Sequence, residues 1–433
     1  MSAGLNADWI ARSRKAVWHP CTQMKVHETL PLVPIARAEG AWLHDFEGHR
    51  YLDAISSWWV NLFGHANPRI SAALRDQIDR LDHVLLAGCT HAPVVELSER
   101  LAALAPPGLG HAFYASDGAA ATEIALKMSF HHWRNCGLPD KRMFASLVGG
   151  YHGETIGALN VTDVAVFRDA YGPLLRRPAL LPCPDPRHGV SVDAACAALD
   201  DHLAAHHATT AALILEPLVQ GAAGMAMYDA AFLAHARAIT ARYGVHLIVD
   251  EIMTGFGRTG TMFAWEQANA PAPDLMCLSK GITGGVLPLS CVLASDEIFA
   301  AFYDDDATRG FLHSHSYTGN PLACRAALAV LDIFRDDDVI AANRERAKHW
   351  RGVMAPLAAH RAVRDFRQRG MIFAFEVTTD RFDFSRWFFG EALACELLLR
   401  PMGRTVYFMP PYIVTDDEMQ MLASRTLDIL DRA

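Results

Sequence analysis

Val245-His-Leu-Ile-Val-Asp-Glu-Ile-Met-Thr-Gly-Phe-Gly-Arg-Thr-Gly260 begins as an apolar run, ends that run in a carboxylate, and passes directly into a glycine-rich turn. A short run of β-formers bounded by turn residues predicts a buried strand. A second such run follows in Leu275-Met-Cys-Leu-Ser-Lys-Gly-Ile-Thr-Gly-Gly285, and it delivers a lysine instead of an acid. Working outward, similar runs occupy 144–148, 211–215 and 290–293. Segments such as 230–243 lie between them, with apolar and small residues at helical spacing. Strands alternating with helices predict an α/β fold with a mainly parallel sheet covered on both faces. Such sheets place ligand-binding groups just past the carboxyl ends of their strands.

The flanks read differently. Residues 1–65 are rich in aromatics, and Trp42-Leu-His-Asp-Phe-Glu-Gly-His-Arg-Tyr-Leu-Asp53 predicts a hairpin about its Glu-Gly turn. After Pro321 a helical stretch, 322–334, leads into alternating helix and strand. The expectation is a large domain over 66–330 and a smaller α+β domain assembled from 1–65 and 331–433.

Composition narrows the class of function. The 433 residues are 51% hydrophobic and 20% charged, which suits a globular chain with a large core. The net charge is −9 and no Lys/Arg cluster stands out, which argues against nucleic acid as partner. No run approaches the roughly 20 apolar residues of a membrane span. The nine cysteines are scattered and show no CxxC spacing, as expected of reduced thiols. With no apolar core of signal-peptide length near its start, the chain is expected in the cytoplasm.

Five segments carry candidate chemistry. Lys280 stands at a strand end among glycines, where a desolvated lysine can lose its proton and attack an aldehyde; a surface lysine is the plainer alternative. Asp250, thirty residues earlier, can pair with a protonated pyridine nitrogen or simply start a turn. Tyr114-Ala-Ser-Asp-Gly-Ala-Ala-Ala-Thr-Glu123 runs into a helical stretch, so its backbone N–H groups suit a phosphate, with Ser116 or Asp117 as an ordinary cap and Asp117 expected to turn away from an anion. In Gly149-Gly-Tyr-His-Gly-Glu154, Tyr151 is placed to stack on a flat ring, while His152 reads as structural. His313 and His315 in Phe311-Leu-His-Ser-His-Ser-Tyr-Thr-Gly-Asn-Pro321 lack a third ligand at metal spacing, so no metal is expected.

The set DE-x-x-TGFGRTG, a lysine thirty residues on and a downstream Thr-Gly-Asn-Pro resembles the class III aminotransferases, pyridoxal-phosphate enzymes of fold type I. The resemblance runs from about Trp18 to Tyr412. It implies a seven-stranded sheet, pyridoxal 5'-phosphate as cofactor, and a homodimer with shared sites. It further implies that Lys280 carries the cofactor as a Schiff base and moves the substrate proton, and that Asp250 pairs with the ring nitrogen. Tyr151 and Ile252 are implied on the two faces of the ring, and the N–H groups of Gly118 and Ala119 at its phosphate. Ser316 is implied to reach the phosphate of the neighbouring subunit. Glu216, in a Glu-Pro motif, is expected near the cofactor without an assigned role.

Within the class, the terminal segments narrow the choice. Trp18-His-Pro-Cys-Thr-Gln-Met24, Ser56-Ser-Trp-Trp59, Arg400-Pro-Met-Gly-Arg-Thr-Val-Tyr407 and Met409-Pro-Pro-Tyr412 are similar to the branch serving biotin biosynthesis. The implied reaction is ping-pong amination of 8-amino-7-oxononanoate to 7,8-diaminononanoate, with S-adenosyl-L-methionine as donor. Trp58 and Trp59 are then expected to wall an apolar tunnel, Arg400 to pair with the distal carboxylate, and Tyr407 to line the same site. Tyr151, Lys280 and Ser314 complete the expected substrate contacts. The chain departs from the pattern at Cys21, where a tyrosine is usual, at Ala119 in place of serine, and at His313-Ser-His-Ser in place of His-Gly-Pro-Thr. Lysine as donor is one alternative. Another is a class III transaminase of ω-amino acids or diamines using pyruvate or 2-oxoglutarate.

Overall fold

The computed structural model describes residues 4–30 and 32–433. The chain divides into two compact units: Arg69–Glu345 with Arg369–Met371, and Met1–Pro68 with Arg346–Gln368 and Ile372–Ala433.

The larger unit is built on a seven-stranded sheet. Its strands are β1 (His111–Ala115), β2 (Met143–Leu147), β3 (Ala179–Leu181), β4 (Thr210–Leu215), β5 (His246–Asp250), β6 (Leu275–Leu278) and β7 (Ser290–Ala294). They lie in the order β1-β7-β6-β5-β4-β2-β3. All neighbours pair in parallel except β7, which runs antiparallel to both β6 and β1. Every residue of β4, β5, β6 and β7 is buried, which explains why these strands read as continuous apolar runs instead of alternating ones. The expected strands are all present, with ends shifted by a residue or two, and the expected helix 230–243 is Ala231–Arg242. The helix α1 (Gly118–Asn135) buries Ala121, Ile124, Ala125 and Met128 in one core with Ile214, Ile248 and Cys277.

One expected boundary is corrected. Residues 331–345 lie with the larger unit, because a break at 330 would cut the single helix Pro321–Asp336. Its buried face continues through Leu331, Ile333 and Phe334 and packs on the helix Ala92–Leu104.

The smaller unit does draw on both ends of the chain. Trp42–Asp45 and Arg50–Asp53 form the expected antiparallel hairpin, and Leu397–Leu398 adds to Arg50–Asp53 in parallel. A second sheet contains Ile372–Val377 and Thr405–Phe408, antiparallel. The two termini are also stitched by the Met409 N–H donating to the Ala54 carbonyl at 2.8 Å.

Candidate active site

In the larger unit six residues stand at or just past the carboxyl ends of five strands that run the same way. Gly118 follows β1, Tyr151 and His152 follow β2, Glu216 follows β4, Asp250 closes β5 and Lys280 follows β6. Because these strands run the same way, all six residues emerge on one edge of the sheet. Asp250 lies opposite Cys277 in the ladder, three residues before Lys280.

The edge is wired by hydrogen bonds. Asp250 is buried; its Oδ1 accepts the Ile252 N–H at 3.1 Å and its Oδ2 lies 2.7 Å from His152 Nδ1. His152 is thus not a passive core histidine: it holds the carboxylate through one ring nitrogen. Its own backbone N–H is fixed by Thr162 Oγ1 at 3.0 Å. Glu216 accepts the N–H of Tyr151 at 3.0 Å and that of Gly221 at 2.9 Å. The Tyr151 hydroxyl donates to Glu154 at 2.8 Å, and its ring leans on Phe167 at 5.5 Å. Glu251, also fully buried, organises the glycine-rich loop by accepting from Thr254 Oγ1 and from the N–H groups of Ala264 and Trp265.

Burial sets the electrostatics here. It pushes the Lys280 ammonium below its usual range, against the carboxylates of Asp250 and Glu216, which pull it back up. Lys280 therefore loses its proton more readily than a surface lysine. Burial, reinforced by Asp250, raises the Glu216 carboxyl to about 7 despite the opposing His152 and N–H contacts. Lys280 also adopts φ 46°, a left-handed conformation that non-glycine residues rarely take and that clusters at functional sites.

The start of α1 fits an anion. Asp117 caps the helix, its Oδ1 accepting the Ala120 N–H at 2.9 Å, so its carboxylate is engaged with the helix itself. The N–H groups of Gly118 and Ala119 precede the first intrahelical acceptor bond, as the opening N–H groups of any helix do. A Cβ placed on Gly118 would sit 3.0 Å from two side-chain carbons of Ile252, so any larger residue here would press on that side chain. The donor set suits pyridoxal phosphate: a buried acid for the ring nitrogen, a lysine for the aldehyde, and a helix start for the phosphate.

Ser314 and Ser316 are exposed in an irregular segment of the same unit. His313 Nδ1 lies 2.8 Å from Lys127 Nζ, and His315 Nδ1 accepts the Tyr317 N–H. Among the described residues no cluster of His, Cys, Asp and Glu could hold a metal, and no helix is long and apolar enough to cross a membrane.

Trp58, Trp59, Arg400 and Tyr407 come together in the smaller unit. Four consecutive residues, Ser56 to Trp59, have φ of 51°, 46°, 72° and 74°. A left-handed turn of L-residues costs about 1–2 kcal/mol per residue, so it must be held. Asp53 holds it by accepting the Ser57 N–H at 2.8 Å and the Ser57 hydroxyl at 2.7 Å, while Ser56 Oγ donates to the Met409 carbonyl. The turn buries Trp59, edge-on to Tyr407 at 6.1 Å, and leaves Trp58 43% exposed with the Arg400 guanidinium 5.0 Å from its ring. Burial raises the Tyr407 phenol to about 12. Trp58, Arg400, Tyr407 and Cys21 line one cavity of about 560 Å³, whereas Trp59 does not; it is core behind the wall.

The family model for Aminotransferase class-III matches residues 23–430. The chain belongs to the class-III aminotransferases. It is 45% identical to adenosylmethionine-8-amino-7-oxononanoate aminotransferase of Helicobacter pylori, over 96% of each chain. The crystal structure of the Methanocaldococcus jannaschii enzyme of that name superposes with a TM-score of 0.93 at 32% identity, covering 98% of both chains. An (S)-enantioselective omega-transaminase from Thermomicrobium roseum superposes with a TM-score of 0.92 at 30% identity, again over 98% of both. As a member of this class the protein is a transaminase. His152 is the site residue that reading the sequence undervalued. Its signal was its place directly after Tyr151 at a strand end.

Proposed function

We propose that this transaminase converts 8-amino-7-oxononanoate to 7,8-diaminononanoate, with S-adenosyl-L-methionine as amino donor and pyridoxal 5'-phosphate as cofactor. The observation that carries the substrate is the cavity of the smaller unit, which is mostly apolar and has Arg400 over Trp58. An aliphatic chain ending in a carboxylate matches it, since apolar walls take the chain and a guanidinium takes the acid. The fold alone does not choose, because an omega-transaminase superposes nearly as well as the Methanocaldococcus jannaschii adenosylmethionine-8-amino-7-oxononanoate aminotransferase. The 45% identity to the Helicobacter pylori enzyme supports the same choice.

When bound, the cofactor withdraws electrons from the carbon that bears the amine and so makes its proton removable. The protein residues do the rest. Asp250, oriented by His152 and the Ile252 N–H, holds a proton on the pyridine nitrogen. Gly118 and Ala119 orient the phosphate, and Tyr151 and Ile252 flank the ring. Lys280 Nζ, its basicity lowered by burial, receives the substrate proton and returns it. Ser316, exposed on its loop, reaches the phosphate of a second copy, so the working unit is a homodimer, placed in the cytoplasm.

Arg400→Ala tests the substrate reading. Arg400 is exposed, so solvent discounts a charge-assisted bidentate pair to on the order of 1–2 kcal/mol when one partner is lost. The expected fall in kcat/KM for 8-amino-7-oxononanoate is roughly five- to thirtyfold, with a smaller effect on the donor half-reaction. An unchanged kcat/KM for the keto acid would return the ω-amino-acid transaminase to first place.

A further inference from the structure

Two guanidiniums and no carboxylate line the cavity of the smaller unit. Arg400 lies over Trp58, and Arg386 stands in the first turn of the helix Phe384–Ala394. Among the described lining residues there is no Asp or Glu, and neither arginine has a carboxylate at ion-pair distance among the described residues. Their backbone neighbours are in contact: Ser385 Oγ donates to the Pro401 carbonyl at 2.9 Å, tying the first helical turn to the residue after Arg400. Much of the remaining lining is apolar, including Val26, Val33, Leu43, Ile55, Phe389 and Leu398.

Two cations lining one cavity without an acid among its described lining residues favour an anion inside it. We infer that Arg386 is a second carboxylate-recognising group of this cavity, acting with Arg400 to select an aliphatic acid over a neutral chain of equal length. The cavity volume, about 560 Å³, lies within the usual range for small-molecule sites. The choice of an aliphatic acid as occupant rests on the substrate reading above; the pair of unmatched arginines does not. Arg386 and Arg400 are both exposed, so solvent screens each of them and neither contributes more than a modest share of the selectivity.

The test is calorimetric titration of the holoenzyme with octanoate and with octanamide, which differ in charge but not in length. Wild type is expected to bind octanoate more tightly. Arg386→Ala should weaken octanoate by roughly tenfold and leave octanamide unchanged, Arg386→Lys should recover part of that, and Arg386→Ala with Arg400→Ala should bind the two alike. An unaltered octanoate preference in Arg386→Ala, or an equal loss for both ligands, would overturn the inference. Failure of the substrate reading is seen separately, as a protein that keeps this two-arginine preference yet does not turn over 8-amino-7-oxononanoate.

Discussion

His152 Nδ1 lies 2.7 Å from Asp250 Oδ2, and both side chains are out of solvent. A carboxylate buried this deeply is costly unless its oxygens are met. The Ile252 N–H meets one oxygen and the imidazole meets the other. In the proposed mechanism this makes His152 the residue that aims Asp250 at the cofactor ring. Its replacement by Ala should retain cofactor but slow the donor half-reaction by roughly ten- to a hundredfold, the worth of one hydrogen bond to a charged group. Stopped-flow absorbance of that half-reaction would show this, and His152→Gln, which can still donate, should recover part of the rate. Wild-type speed in His152→Ala would reduce the histidine to packing.

Glu216 gives a pH signature. Its carboxyl is raised from 4.5 to about 7 by burial, so the folded chain holds a proton that the unfolded chain has released between those values. Glu216's own contribution to stability therefore falls as pH rises through that window, by on the order of 3 kcal/mol for a shift of this size. Glu251, also raised to about 7 by burial, has the same sign. In Glu216→Gln the slope of the apoenzyme's melting temperature against pH between 4.5 and 7 should become more positive than in wild type, because one group that destabilises as pH rises is gone while Glu251 and the histidines lowered by burial, such as His246, keep their contributions. A glutamine can also accept only one of the two N–H groups that Glu216 serves, so Tyr151 or Gly221 loses its partner. An unchanged pH slope would show that Glu216 does not carry the extra proton.

Ser316 is proposed to act across a subunit boundary, which hybrid dimers can reveal. Mixing Lys280→Ala chains with Ser316→Ala chains creates one site with both residues intact. At limiting cofactor the mixture should exceed the activity of either variant alone. No gain on mixing would count against the shared site.

The strands were legible because their runs were unbroken. A strand buried on both faces has no polar alternation to confuse the reading, as in Leu275–Leu278 and Thr210–Leu215. Lys280 and Asp250 were legible for a related reason, since a charged residue ending an apolar run has few places to go but the sheet edge. What could not be read was pairing between distant segments. Nothing local to Gly149–Glu154 says that His152 meets a carboxylate ninety-eight residues on. Trp58 and Trp59 were both expected to wall the tunnel, and only the left-handed turn at Ser56–Trp59 decides that one lines the cavity and the other is core. Arg386 gave no motif at all; that it lines the same cavity as Arg400 depends on chain segments tied by a hydrogen bond between residues sixteen apart. The boundary at 330 failed because a helix buried along most of its length carries no compositional break at its middle.

The central claim is the substrate. Purified holoenzyme incubated with 8-amino-7-oxononanoate and S-adenosyl-L-methionine should yield 7,8-diaminononanoate, identified by mass, and Lys280→Ala should yield none. Lysine, offered in parallel, identifies the donor. Absence of that product with either donor, while an ω-amino acid or diamine is turned over with pyruvate or 2-oxoglutarate, would contradict the account.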